Sequence, residues 1–284
     1  MSIPARGRDD AVVPPKNPML VFDQRAWRRH RGRAAARDDA AEFLFVESAA
    51  QLVERLSEIK RDFTRALDLG SRGGILAPAL AGKAGIEFLV AADPAEEFVR
   101  RTPAPRLVAE PEALPFAPHS FDLVLSNLLL HWTNDLPGAL LQLRHALKPG
   151  GLLLAALFGG ETLAELGGAL LEAELAESGG AGPRVSPFAD IRDLGALLQR
   201  AGFVDPVVDS DRLEVTYADT YALMRDLRAM GESNALAERR RGLTRRGTLA
   251  DAARLYAERC GTAEGRVRAD FQVLTLTAWA PAGL

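Results

Sequence analysis

Leu67-Asp68-Leu69-Gly70-Ser71-Arg72-Gly73-Gly74 decides how this chain is read. The apolar run Ala66 to Leu69 carries one acid, Asp68, and then breaks into glycine. Ile75-Leu76-Ala77-Pro78-Ala79-Leu80-Ala81 follows, apolar on more than one face. Strand, tight glycine turn and helix, in that order, predict the first unit of a nucleotide-binding α/β domain. Glycine serves such a turn because the backbone needs positive φ and because a ligand can then approach bare main chain. Working outward, the apolar run Phe88-Leu89-Val90-Ala91-Ala92 closes on Asp93. That is roughly 20 residues on, where ribose-binding acids stand in such domains.

The rest of the chain keeps the same alternation. Apolar residues at helical spacing (Leu44, Leu52, Val53, Leu56, Ile59) predict a helix over 43–59, ahead of the turn. Leu107-Val108-Ala109 reads as a short strand and Phe121 to Asn127 as a longer one. Asn134-Asp135-Leu136-Pro137 opens a helix with a capping side chain and proline in the first turn. It runs to about Leu147, where Lys148-Pro149-Gly150-Gly151 stops it. Leu152 to Phe158 is nearly all apolar, as a central strand buried on both faces must be. This rhythm predicts a doubly wound parallel sheet. Past Gly159 the order changes: a helix over 161–177, a glycine-rich link over 178–183, and a helix over 190–201 ended by Gly202. An extended stretch over 204–217, helices over 218–230 and 248–259, and a last strand over 271–279 complete it. We see no internal repeat.

At 284 residues the chain can bury a substantial core, as one domain or one domain with a lobe. A net charge of -3 and 48% hydrophobic content fit an ordinary soluble protein. No apolar run approaches the roughly 20 residues that span a bilayer, and Met1 to Lys16 gives no signal-peptide core. Cys260 is the sole cysteine, which excludes an intrachain disulfide and a cysteine-bound metal cluster. It reads as a packed thiol, and a reducing, cytoplasmic setting fits.

Residues 1–19 read as a disordered tail and 20–60 as a helical N-terminal arm. Arg25, Arg28, Arg29, His30, Arg31, Arg33 and Arg37 crowd the arm, with Trp27 among them. They would suit nucleic acid or an acidic partner. The slightly negative total favours the plainer reading, solvated charges with Trp27 packed on the domain. A third reading has the arm covering a ligand cleft. Arg239, Arg240, Arg241, Arg245 and Arg246 form a second basic cluster. Beyond Trp27, stacking aromatics do not accompany the clusters, so nucleic acid is not the expected partner.

Asp68, Asp93 and Glu110 lie in or just after successive strands. Ligands bind at the carboxyl ends of the strands in open α/β sheets. The turn is not G-x-G-x-x-G, and an acid just before it suits a cationic ligand better than a pyrophosphate. S-Adenosylmethionine carries an ammonium and a sulfonium and no phosphate. Asp68 would balance its amino-acid end, Asp93 would accept from both ribose hydroxyls, and Glu110 would face the adenine amino group. Each acid alone reads equally as a cap or surface residue; three in this order favour the cofactor.

LDLGSRGG at 67–74, AAD at 91–93, EPEALPF at 110–116, SFDLVLSNLLLHW at 120–132 and LKPGG at 147–151 resemble class I S-adenosylmethionine-dependent methyltransferases. Within them the likeness is to the group of the biotin-pathway malonyl-carrier methyltransferase. FGGETLAEL at 158–166, VSPF at 185–188, DLGALLQRAGF at 193–203 and LRAMGESN at 227–234 are similar to a respiratory complex I assembly factor of this fold. That branch is associated with hydroxylating an arginine of a complex I subunit. The resemblance implies a Rossmann-like, doubly wound, mostly parallel seven-stranded sheet with an N-terminal helical arm and a helical C-terminal insertion. It also implies a cofactor core over 61–160, and over 161–284 a part completing the sheet with an acceptor or partner lobe. The cofactor residues it implies are Asp68, Gly70, Arg72, Gly74, Asp93, Glu110 and Asn127. Arg72 departs from the usual D-x-G-x-G-x-G. An arginine there would pair with a methionyl carboxylate, or its bulk would block the approach that glycine permits.

Methyl transfer to a carboxylate needs alignment more than a base, because the nucleophile is already charged. No Asn-Pro-Pro-Tyr-type amine-methylating motif occurs. The acceptor candidates are Asn127, His131, Trp132, Glu161, Tyr217, Tyr221 and Glu232, each of which also reads as a packing or capping residue. Hydroxylation by an iron facial triad would want two histidines and a carboxylate. His30, His119, His131 and His145 form no H-x-D/E pair, so no metal is expected. The leading expectation is an S-adenosylmethionine-dependent methyltransferase acting on a small-molecule or protein acceptor, at a carboxylate or a protein side chain. The alternative is a complex I assembly factor, with or without arginine hydroxylation.

Overall fold

A computed structural model describes residues 20–37, 41–103, 105–178, 182–186, 191–240, 242 and 244–283. The tail over 1–19, part of the glycine-rich link, Pro187, Phe188, Asp190 and Arg241 lie outside the described residues. Seven strands form one sheet: β1 (Arg65–Leu69), β2 (Phe88–Asp93), β3 (Arg106–Val108), β4 (Phe121–Asn127), β5 (Leu147–Phe158), β6 (Val204–Tyr217) and β7 (Val267–Trp279). Their order is β3-β2-β1-β4-β5-β7-β6. The chain reverses direction outward from β1, so the switch point falls between β1 and β4. The first five strands pair parallel, and β7 runs antiparallel to both neighbours.

Alternation along each strand feeds two cores. Leu67 and Leu69 of β1, Leu153, Ala155 and Leu157 of β5, and Leu274, Leu276 and Ala278 of β7 face one layer. That layer includes α5 (Leu136–Ala146) and α7 (Ile191–Arg200). Ala66, Leu152, Leu154, Phe271 and Val273 face the other, with α2 (Phe43–Glu58), α6 (Ala164–Ser178), α8 (Thr220–Met230) and α9 (Arg246–Cys260). Burial on both faces is why β5 reads as unbroken hydrophobic sequence rather than alternating. Asp135 caps α5 by accepting from the Gly138 amide at 2.9 Å, with Pro137 in the first turn.

Several expectations need correcting. α5 ends at Ala146, as expected, but Lys148 to Gly151 already belong to β5, with Gly150 at φ +72°. The helix after the glycine turn, α3 (Leu76–Leu80), is a single short turn. α6 begins at Ala164 rather than Glu161, and β7 begins four residues before Phe271. The arm, α1 (Gln24–Ala35), does bury Trp27, but Arg31 is buried beside it instead of solvated. Three arginines of the second basic cluster pair within the chain: Arg239 with Asp23, Arg240 with Glu174 and Arg245 with Glu177.

Candidate cofactor and acceptor site

Gly70 opens the turn after β1 at φ +89°, and its amide and that of Ser71 donate to the Ala92 carbonyl. A Cβ there would lie 2.8 Å from Cβ of Leu129, so only glycine lets the turn close against the loop after β4. Gly73, Gly74 and, without glycine's freedom, Arg72 also hold positive φ. Asp68 is wholly buried, and neither carboxylate oxygen has a hydrogen-bond partner among the described residues. Burial pushes its carboxyl up to about 8; the Asp93 charge adds to the rise and Arg31 opposes it. An acid left so at the carboxyl end of a central strand suits an arriving cation.

Asp93 ends β2, fully buried. Its oxygens accept from Nε and Nη2 of Arg31 at 2.9 and 2.6 Å, and from the amides of Arg72 and Ala95 at 2.9 Å each. Burial disfavours the Arg31 cation, but the Asp93 charge and hydrogen bonds outweigh it and hold its pKa above the usual value. Glu110 accepts from Arg28 at 2.7 Å; burial raises its carboxyl and Arg28 opposes the rise. The Arg72 guanidinium makes no hydrogen bond to Asp68 or Asp93. It lies 3.5 Å over the Phe45 ring and donates to the Met230 carbonyl at 2.7 Å. Burial, then repulsion from Arg31, brings its pKa down to about 9. Asn127 donates to the Phe45 carbonyl at 2.8 Å, tying β4 to α2.

Beside this cluster a cleft of about 250 Å³ is walled by Trp132, Phe158, Leu166, Met224, Leu227 and Phe271. Glu232 reaches it from the turn after α8. Its Oε2 accepts from Trp132 Nε1 at 2.9 Å and lies 3.5 Å from His131 Nε2. Burial would raise the Glu232 carboxyl; the His131 contact and the Arg72 and Arg31 charges outweigh it and leave the carboxyl below its usual range. Arg184 also lines the cleft, but its fork is already held by the buried carboxylate of Glu174, at 3.1 and 2.7 Å.

The structure thus brings Asp68, Gly70, Arg72, Asp93 and Asn127 to one end of the sheet, with His131, Trp132 and Glu232 next to them. Gly74 stands in the turn. Tyr217 is buried, its hydroxyl unpartnered among the described residues and its pKa raised by burial. Tyr221 and Glu161 are exposed and stand outside the cleft walls. The sequence reading missed Arg28 and Arg31 as partners of the acids. The signal was present: Arg31 stands four residues after Trp27 and three before Ala34, on the buried stripe of a helix. A charge on such a stripe must find a buried partner.

An open sheet in this strand order, with a glycine turn and acids at its carboxyl edge, defines a class I methyltransferase fold. The solved YcgJ protein of Bacillus subtilis shares it at a TM-score of 0.55 and 12% identity, over 84% of this chain and 99% of that one. A methyltransferase-domain family model matches residues 67–155. The mouse mitochondrial arginine-hydroxylase NDUFAF5 is 39% identical over 91% of this chain and 77% of its own. A malonyl-[acyl-carrier protein] O-methyltransferase of Halorhodospira halophila is also 39% identical, over 92% of this chain and 90% of its own. The chain belongs to the class I S-adenosylmethionine-dependent methyltransferase family, in the group that holds both of these relatives. No helix among the described residues is long and apolar enough to cross a membrane.

Proposed function

We propose that the chain binds S-adenosylmethionine at the carboxyl ends of β1, β2 and β3 and methylates a protein side chain held in the 250 Å³ cleft. The carrying observation is Asp68: a wholly buried carboxyl with no hydrogen-bond partner among the described residues, next to a glycine turn that admits a ligand to the backbone. Asp68 would face the ammonium, Asp93 the ribose hydroxyls and Glu110 the adenine edge, with the turn from Gly70 to Gly74 against the methionyl part. Bound there, the cofactor supplies an electrophilic methyl on a sulfonium. The chain's own work is to hold the acceptor in line and keep water away. The part from 161 onward supplies that acceptor wall, through α6 and α8.

Glu232 selects among acceptors. A buried carboxylate repels a carboxylate substrate and attracts a nitrogen head that donates hydrogen bonds. An apolar cleft with one acid at its end therefore suits a long basic side chain, guanidinium included. The second reading, hydroxylation of an arginine during complex I assembly, is favoured by the same acid and by the arginine-hydroxylase relative. Both readings place the same kind of side chain in the cleft. The reducing setting expected from Cys260 agrees with a cytoplasmic or matrix-side partner protein.

Incubating the protein with S-adenosylmethionine and arginine-bearing peptides from a complex I subunit, followed by intact-mass analysis, tests the reading. A gain of one methylene supports methyl transfer, and a gain of one oxygen supports the second reading. Calorimetric binding of S-adenosylmethionine that vanishes in Asp68→Ala supports the cofactor placement. Full binding in that variant sinks it.

A further inference from the structure

Asp93 has no acceptor capacity to spare. A carboxylate offers about four lone-pair sites, and Arg31 takes one on each oxygen while the Arg72 and Ala95 amides take the others. The two amides belong to the turn and to the residues leading into α4 (Glu96–Arg101), so they are fixed by the main chain. A ribose diol can reach both oxygens only if Arg31 leaves. Arg31 is 2% exposed, and α1 carries it. Three residues earlier on the same helix Arg28 takes Glu110, the acid expected at the adenine edge. One helix therefore holds two of the three cofactor acids by one guanidinium each.

The charges explain why a cation sits there. Asp93 and Glu232 gather in low dielectric beside Asp68, whose carboxyl burial keeps protonated, and without a counter-ion charges placed there are costly. Arg31 supplies the counter-ion from inside the chain. A ligand that brings a sulfonium and an ammonium supplies it from outside, and the displaced guanidinium regains its hydration. The exchange is cation for cation. The helix is seated to allow it: its start is fixed by the Asn134–Phe22 hydrogen bonds, the Gln24 bond to the Trp132 carbonyl and the Arg239–Asp23 pair. Its far end rests on Gly231 and on Arg101, which donates to the Ala35 carbonyl at 2.9 Å.

We infer that α1 is a latch on the cofactor cleft: Arg31 on Asp93 and Arg28 on Glu110 close it, and a nucleoside sulfonium ligand binds only as the helix swings these arginines off the acids. The inference rests on the cofactor reading above. It makes the apparent affinity the intrinsic affinity scaled by the fraction of chains with the latch open.

Calorimetric titration of the full chain with S-adenosylmethionine tests it, comparing wild type with Arg31→Met. In parallel, hydrogen exchange of the 24–35 amides is followed with and without ligand. The expected result is binding at least about tenfold tighter in the variant, and faster α1 exchange in the wild-type complex. Weaker binding in Arg31→Met makes Arg31 part of the ligand's cradle; it overturns the latch and leaves the cofactor reading standing. Unchanged or slowed α1 exchange in a wild type that binds also overturns it. No binding by either folded protein removes the cofactor reading and the latch together. Should Arg31→Met not fold, Arg28→Ala at the half-exposed pair replaces it, with tighter binding expected and weaker binding overturning the latch.

Discussion

Asp68 couples the site to proton concentration. Its folded pKa, about 8, lies far above the ordinary aspartate value of roughly 3.9. The folded chain therefore keeps a proton that the unfolded chain releases. Its stability is full below the ordinary value and falls as pH rises toward 8. Asp68→Asn keeps the shape and removes the titration. Thermal unfolding at pH 5 and pH 8 should show wild type losing a few degrees more than Asp68→Asn; parallel shifts would assign the slope to other groups. On the proposed reading Glu232 faces the acceptor. Glu232→Gln still accepts from Trp132 but carries no charge, so turnover of a basic acceptor should drop about ten- to a hundredfold while the fold holds. Unaltered kcat/KM would mean that the carboxylate does not read the acceptor. Asp93→Ala leaves Arg31 buried without its partner, which costs on the order of 3–5 kcal/mol. Chemical denaturation measures that loss directly.

Elements were legible where one physical rule governs them and illegible where two compete. β4, β6 and α5 fall where apolar runs and capping residues place them, because nothing contradicts the local signal. Lys148 to Gly151 carries a helix-stop signal and also lies within β5: Leu147 and Leu152 pair with β4 on either side of an irregularity, so the helix's stop and the strand's start coincide. α1 was legible as a helix and, in one of three readings, as a cover on the cleft, but which of its arginines turns inward was not, since they outnumber its apolar residues and only the fold shows it. Its seat depends on Gly231. That residue ends α8 at φ +85°, and a Cβ there would stand 3.2–3.3 Å from the His30 carbonyl, Arg31 Cα and Ala34 Cβ. Gly231→Ala combines strain at positive φ with crowding of α1, roughly 1–3 kcal/mol. A lower Tm together with faster proteolysis within 20–37 is the expected outcome; faster cutting without loss of Tm would show that only the helix had moved.

At the scale of the molecule the doubly wound sheet was legible from the strand–helix rhythm, because burial on both faces writes long apolar runs into the sequence. The position of Asp68, Asp93 and Glu110 at the carboxyl ends of strands was legible too. Their present partners were not: Asp93 with Arg31 and Glu110 with Arg28 join residues distant in sequence, and no local pattern records a contact of that kind. The sheet also has a centre of gravity in β7. Leu276 pairs across to Ala155 on one side and Val208 on the other, wholly buried. Leu276→Ala should cost about 2–5 kcal/mol, read in a denaturant melt as a lower midpoint. Because β7 lies between β5 and β6 yet follows both in the chain, order of synthesis and order of assembly disagree. While the ribosome is still making residues 204–266, β5 has an open edge and β6 has no neighbour to pair with. A nascent chain thus spends that interval with two strand edges free to pair wrongly, which makes this stretch of translation the point where a chaperone would be needed most.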